Sequence, residues 1–410
     1  MKTLNVNFEE ILVSPEFMKD PYPTLHQLQE QDPVYWSESI GGWLLTRYDD
    51  VVSSFRDTSV FSNENRLVKT VEYLSPEKQA GFKAVVDHYA TKGLIHADPP
   101  DHTRLRALVT KEFTPKIVEQ MRPRIQDVVN SLLDAVEERG EMDVVTDLAT
   151  PLPVGVIAEM LGVPPSDRHL MRGWTDDILS FQGVNKPSEA DLNRAQHGLQ
   201  QARPYIQEMI AERRRRPKQD LMTKLVEAEA GGERLSEAEL ISTCVTLIIA
   251  GHETTLSLIS NMIYTLLANP RQFELLRGDP GLLESAIEES LRYESPVSRQ
   301  ARLMKGDAEL GGKKLKKGDI VFQMLNAANR DPAYFENPDQ FDIQRKKNRH
   351  IAFGLGAHFC VGAPLARAEA FIAVGTAIKR FPGLHLISDR PEWDIGKRTS
   401  RMLRTLPVHF

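Results

Sequence analysis

The chain of 410 residues has only two cysteines, Cys244 and Cys360. Two thiols exclude a disulfide framework and a four-cysteine zinc site. A basic excess is also missing, since 51 Lys and Arg stand against 57 Asp and Glu, a formal net charge of −6. That balance argues against general nucleic-acid binding. No stretch reads as the ~20 apolar residues of a membrane span. Met1–Leu25 mixes Asn, Glu, Lys, Asp and Pro and has no apolar signal-peptide core. The expectation is a cytoplasmic protein with no membrane and no nucleic-acid partner. Repeats and low-complexity tracts are absent as well, and the 25 Gly and 25 Pro are scattered. With 41% hydrophobic and 26% charged residues, a disordered chain is excluded.

What is present reads as mainly α with a minor β region. Val34–Trp36 and Gly42–Thr46 predict a small antiparallel hairpin around Ser37–Gly41. From Asp98-Pro99-Pro100 onward the pattern is mostly helical, with Asp101 as a candidate cap. Short strands return between Arg299 and Leu325. No linker divides the chain, so a single domain over 1–410 is expected.

One segment breaks the rules of a buried helix. Ser236 and Glu239 form a capping-box pattern, and no proline follows until Pro270. About 33 residues at ~1.5 Å each would span roughly 50 Å, a whole domain. Thr243–Ile249 is apolar on nearly every face. Yet the middle reads Ala250-Gly251-His252-Glu253-Thr254-Thr255. An acid and a hydroxyl there are costly unless partnered, and Gly251 costs ~1 kcal/mol against Ala. Cys244, about two turns earlier, reads as a small buried hydrophobe. Arg213–Arg216 with Lys218 reads as a solvated helix end.

The second segment is Phe353-Gly354-Leu355-Gly356-Ala357-His358-Phe359-Cys360-Val361-Gly362. A helix follows from Val361 to about Arg380, with Pro364 in its first turn. Cys360 therefore sits at a helix N-terminus, where the dipole and free N–H groups favour a thiolate. Such a thiolate is a nucleophile or a metal ligand. A dinucleotide fingerprint fails because Phe359 stands where the third glycine belongs. A hydrolase elbow needs G-x-S-x-G, which is absent. A zinc site lacks further ligands.

At these residues a family resemblance is plain. Phe353-Gly354-x-Gly356-x-His358-x-Cys360-x-Gly362 resembles the haem-binding signature of the cytochromes P450. Ala250-Gly251-x-Glu253-Thr254 is similar to their oxygen-activation motif, and Glu289-x-x-Arg292 to their E-x-x-R helix. Asn329-Arg330-Asp331-Pro332 and Phe341-Asp342-x-x-Arg345 resemble the stretches before the haem loop. Asp98-Pro99-Pro100-Asp101-His102 with Arg106 resembles the haem-side helix of soluble bacterial members. These motifs stand in family order over almost the whole chain.

The resemblance implies the P450 fold, with haem b between the long central helix and the cysteine-loop helix. Cys360 is then the iron ligand, with Phe353, Gly354 and Gly356 shaping its loop. A thiolate ligand favours O–O cleavage. Glu253 and Thr254 manage protons beside dioxygen, and Gly251 leaves it room. His102, Arg106, Arg299 and His350 are expected to bind the propionates. Glu289, Arg292 and Arg345 form a structural network bracing the haem loop.

By the same analogy the substrate pocket draws on Tyr73, Val85, Val86, Leu247, Ala250 and Val297. The substrate is a small apolar molecule of the polyketide, macrolide, fatty-acid or terpenoid class. The chain has no flavin or nicotinamide fingerprint. Electrons from NAD(P)H must arrive through an external ferredoxin or flavodoxin and its reductase. Arg345, Lys346, Lys347, Arg349, Arg104 and Lys111 are candidates for the basic docking patch of a monomeric enzyme. Two other readings stay open: a peroxide-driven enzyme, which the Glu253-Thr254 pair disfavours, and a haem-thiolate sensor without turnover.

Overall fold

The computed structural model describes residues 7–230 and 233–410. The predicted hairpin forms over Val34–Ser37 and Gly42–Leu45, with Trp36 opposite Trp43. It opens a five-stranded sheet whose next members are Ile320–Met324, Arg299–Met304 and Phe61–Ser62. Ile320–Met324 runs parallel to Gly42–Leu45, with Val321 beside Trp43. It runs antiparallel to Arg299–Met304, with Met324 beside Arg299 and Val321 beside Arg302. Arg299 and Arg302 are three apart and so leave opposite faces of their strand.

The rest is dominated by helices around one long central helix, Glu237–Ala268. Its start is the predicted capping box. Ser236 Oγ accepts from Glu239 N, while Ser236 N donates to the Glu239 carboxylate at 2.8 Å. Its end is Asn269, where Pro270 begins the next helix. The helix packs against Pro151–Leu161, Leu283–Tyr293 and Ala363–Arg380. Several of its buried hydroxyls are satisfied locally: Ser257 donates to Glu253 O at 2.9 Å and Thr265 to Asn261 O at 2.7 Å, whereas those of Ser242 and Thr243 find no partner among the described residues. Cys244 is fully buried beside Met222, and burial pushes its thiol up to about 12.

Three sequence expectations need correction. Two helical segments, Val144–Leu161 and Glu237–Ala268, are in fact long and apolar enough to cross a membrane. Both are mostly buried, 67% and 78%, which is how core helices pass that test. Asp101 does not cap the helix that follows Pro100; it is its first residue, and its carboxylate pairs with Lys92. The arginine run is not all solvated. Arg213 is buried, bound by Asp220 at 2.6 Å, by Glu212 and by the Gly162 carbonyl.

Candidate active site

The cysteine loop is shaped by two left-handed glycines. Gly354 and Gly356 have φ of +69° and +71°, and a Cβ on Gly356 would stand 3.1 Å from the Phe55 carbonyl. A single 3₁₀ turn, Gly356–His358, then leads to Cys360. The Cys360 N–H donates to Phe353 O at 3.0 Å, closing the loop. The helix begins at Ala363, two residues later than the sequence predicted, with Gly362 as its cap. Phe353 packs under Arg367, whose guanidinium lies 4.5 Å from the ring centre.

Cys360 opens into a cavity of about 360 Å³, within the range of cofactor and ligand sites. Its sulfur is therefore accessible although protein surrounds it on the other sides. Burial pushes the thiol above its usual value. The N–H groups of Gly362 and Ala363 and the Arg106 and Arg367 guanidiniums pull it back toward thiolate. Thr246, Leu247, Ala250, Gly251, Glu253 and Thr254 of the central helix line the same cavity.

On that helix the Thr254 hydroxyl donates to Ala250 O at 2.9 Å. Glu253 is buried but not alone. Lys397 Nζ lies 2.7 Å from its Oε2, and the Ser400 hydroxyl donates to its Oε1. Lys397 also reaches Asp176 at 2.9 Å, so one ammonium ties the central helix to the helix Arg168–Leu179. Burial alone would lower the lysine's pKa; the two carboxylates overcome it and hold the group charged. Gly251 lines the cavity, but the space its Cβ would take is held by Ile157 at 3.2 Å. The missing side chain thus serves helix packing, and the helix runs unbroken there.

Four arginines reach this cavity: Arg66, Arg106, Arg299 and Arg302. Among the described residues, Arg66, Arg106 and Arg299 make no hydrogen bond or ion pair, and the Nε of Arg66 and Arg299 is buried without a partner. Arg302 reaches only the Ala301 carbonyl and, at 3.5 Å, Gln300. Burial depresses all four, Arg302 to about 9. His102 and His358 pack against each other, centroids 3.9 Å apart and planes tilted by 37°, each with an unpartnered Nε2. Burial, with Arg106 near His102, and His102 and Arg302 near His358, holds them neutral, at about 4 and about 3. Glu369 also lines the cavity, its Oε2 unpartnered and its carboxyl raised to about 8 by burial.

Several predicted residues lie elsewhere. His350 does not line the cavity. Its Nδ1 accepts from Ala352 N at 3.2 Å, so the proton sits on Nε2, which donates to Glu288 at 3.1 Å. His358, eight residues on, takes the place expected of it. Arg299 lines the cavity too, but among different charged neighbours from the histidine pair. Its charged neighbour is Arg398, whereas Arg302 shares the surroundings of Arg66, Asp98 and His358. Leu247, Ala250 and Val297 line the cavity as expected. Tyr73, Val85 and Val86 do not. Tyr73 is turned outward with its hydroxyl on Pro187 O, and Val85 and Val86 pack into the core from the helix Lys83–Ala90. Leu94 and Ile95 line the cavity in their stead. Of the docking candidates, Arg104 pairs with Glu239 and Arg345 with Glu289, leaving Lys111, Lys346, Lys347 and Arg349 exposed.

The expected network is complete. Arg292 binds both Glu289 oxygens at 2.8 Å and the carbonyls of Asn329, Pro338 and Gln340. Arg345 adds a bond to Glu289 at 3.1 Å and one to the Glu336 carbonyl. The segment just before the cysteine loop is thereby fixed.

The donor set tests whether a haem suits this cavity. No group of three or more His, Cys, Asp or Glu among the described residues is placed to hold a metal. A metal on Cys360 must then bring its other ligands with it, as a macrocycle does. The unpartnered guanidiniums and imidazoles ask for anions, as propionates are. The residues fit.

The comparisons agree. The family model described as Cytochrome P450 matches residues 56–160, 173–279 and 281–409. The chain is a cytochrome P450. It is 41% identical to Cytochrome P450 CYP107DY1 of Priestia megaterium, over 97% of this chain and 98% of the relative. It is 37% identical to the polyketide biosynthesis cytochrome P450 PksS of Bacillus subtilis, over 98% and 99%. The crystal structure of P450BioI in complex with a hexadec-9Z-enoic acid ligated acyl carrier protein superposes with a TM-score of 0.88. There identity is 37%, over 96% of this chain and 99% of that one. Membership of this family makes the protein a P450 monooxygenase with a haem cofactor and the P450 fold.

Proposed function

We propose that the protein binds haem b through Cys360 and inserts one atom of dioxygen into a small apolar molecule. The observation that carries this is a single cavity with a thiol on one side, an acid–hydroxyl pair on the central helix, and a set of unpartnered cations. Arg66, Arg106, Arg302, His102 and His358 would hold the propionates. Bound there, the haem supplies the iron at which dioxygen is reduced and split.

The chain's own part is binding, orientation and proton supply. The overall step turns R–H, O₂, two electrons and two protons into R–OH and water. Both protons must reach the distal side of the cavity. Glu253 is the charged acceptor nearest Thr254 in sequence. Lys397 and Asp176, the latter partly exposed, link it toward solvent. The Thr254 hydroxyl can turn from the Ala250 carbonyl and donate into the cavity. Leu247, Ala250, Val297, Leu94 and Ile95 give the pocket apolar walls that exclude water.

The relatives named for polyketide synthesis and solved with an acyl carrier protein support a biosynthetic, apolar substrate. In this reading the chain works as one domain over 1–410, a cytoplasmic monomer. Its electrons come from NAD(P)H through a ferredoxin or flavodoxin and its reductase, which docks at Lys346, Lys347 and Arg349. The test is Thr254→Ala, assayed with a reconstituted electron supply. Product formed per reductant should fall and hydrogen peroxide should rise. Unchanged coupling would remove Thr254 from this role.

A further inference from the structure

We infer that Arg299 receives a carboxylate of the substrate, so that the substrate is an apolar carboxylic acid and not merely an apolar molecule. The inference rests on the haem-enzyme reading and narrows it. Arg299 is 6% exposed and lines the cavity. It makes no hydrogen bond or ion pair among the described residues, and its Nε is buried without a partner. The group sits over the Phe322 ring, 5.5 Å from its centre. Its charged neighbour, Arg398, is a second cation, committed to Asp191 and the Ser180 carbonyl.

The nearby acid cannot serve it. Glu253 is held by Lys397 and Ser400. The propionates cannot account for it either. The two carboxylates of a bound haem would be met by Arg66, Arg106, Arg302, His102 and His358, and Arg302 leaves the opposite face of the same strand. A fully buried, unpaired guanidinium is costly. A planar carboxylate satisfies it bidentately. Val297, Leu247 and Phe322 line the same cavity and suit an apolar body on that acid.

The experiment compares palmitate and abietate, one linear acid and one terpenoid acid, each with its methyl ester. Binding to the haem-loaded protein is followed by the spin-state absorbance shift and, independently, by calorimetry. At least one acid should bind roughly tenfold to a hundredfold more tightly than its ester, the range of a charge-assisted pair. Arg299→Gln should abolish that preference and leave ester affinity unchanged, and Arg299→Lys should keep part of it. Equal affinity of acids and esters, binding of neither acid, or an unchanged preference in Arg299→Gln would overturn the assignment. So would loss of haem from Arg299→Gln, which would make the residue a propionate anchor. A wild-type protein with no haem would sink the parent reading instead, and calorimetry on the unligated protein would still test Arg299.

Discussion

Arg292 and Arg299 flank the short segment joining the helix Leu283–Tyr293 to the strand Arg299–Met304, and both are buried. Arg292 is saturated: two carboxylate oxygens and three carbonyls take its protons. Among the described residues Arg299 makes none of these bonds, and neither do the half-buried Arg66 and Arg106. Burying a guanidinium is tolerated when every proton finds an acceptor. The network around Glu289 meets that condition within the protein, so its role is to hold shape. The cavity arginines meet it only with anions supplied from outside.

The largest effect should come from breaking the saturated side. Arg292→Ala leaves Glu289 with Arg345 as its one remaining guanidinium and strips the Asn329 and Pro338 carbonyls of their guanidinium donor, while Gln340 O keeps Arg345. A loss of about 3–5 kcal/mol is expected for such a buried network, read by denaturant unfolding. Arg66→Gln, on the unsatisfied side, should cost the unligated protein under about 1 kcal/mol while speeding haem loss. Equal destabilisation by the two would erase the contrast.

Lys397 lies between these cases, a half-buried cation bound by two acids. Lys397→Gln should cost about 1–3 kcal/mol by leaving Glu253 with Ser400 alone. It should also lower product formed per reductant, as Thr254→Ala does. Lost stability with unchanged coupling would make the lysine purely structural.

The histidines sharpen the contrast through pH. His102 and His358 are depressed to about 4 and about 3, below an unfolded value near ~6.5. Between those values the unfolded chain binds more protons, so stability falls as pH drops from about 6.5 toward 4 and is fully present above that window. His88 and His252 act in the same direction. Haem loading should shrink the slope, because propionates favour the charged imidazoles. Thermal unfolding of the two forms across this range checks it. A slope unchanged by haem would separate the histidine pair from the propionates. The smallest effect is at the surface: Lys346→Glu with Lys347→Glu should slow electron transfer several-fold at low salt without changing stability.

Much of this was legible in the sequence because it is local. The capping box at Ser236, the stop at Pro270 and the glycines before Cys360 each act within a few residues. The E-x-x-R pair shares one helical face, so spacing alone joins Glu289 to Arg292. What escaped was set by packing over long range. Nothing near Lys397 announces a partner at Glu253. The family resemblance points to His350, and only the fold shows it turned toward Glu288 while His358 turns toward His102. Arg302 was separable from Arg299 only once the strand's two faces were known. Val85 and Val86 read as pocket because apolar residues look alike until a core claims them.

The reduced carbon-monoxide difference spectrum of the purified protein tests the central claim most directly. Thiolate ligation by Cys360 predicts the strongly red-shifted Soret band, lost in Cys360→Ala and kept in Thr254→Ala. A haem-loaded wild-type protein without that band would contradict the assignment of Cys360.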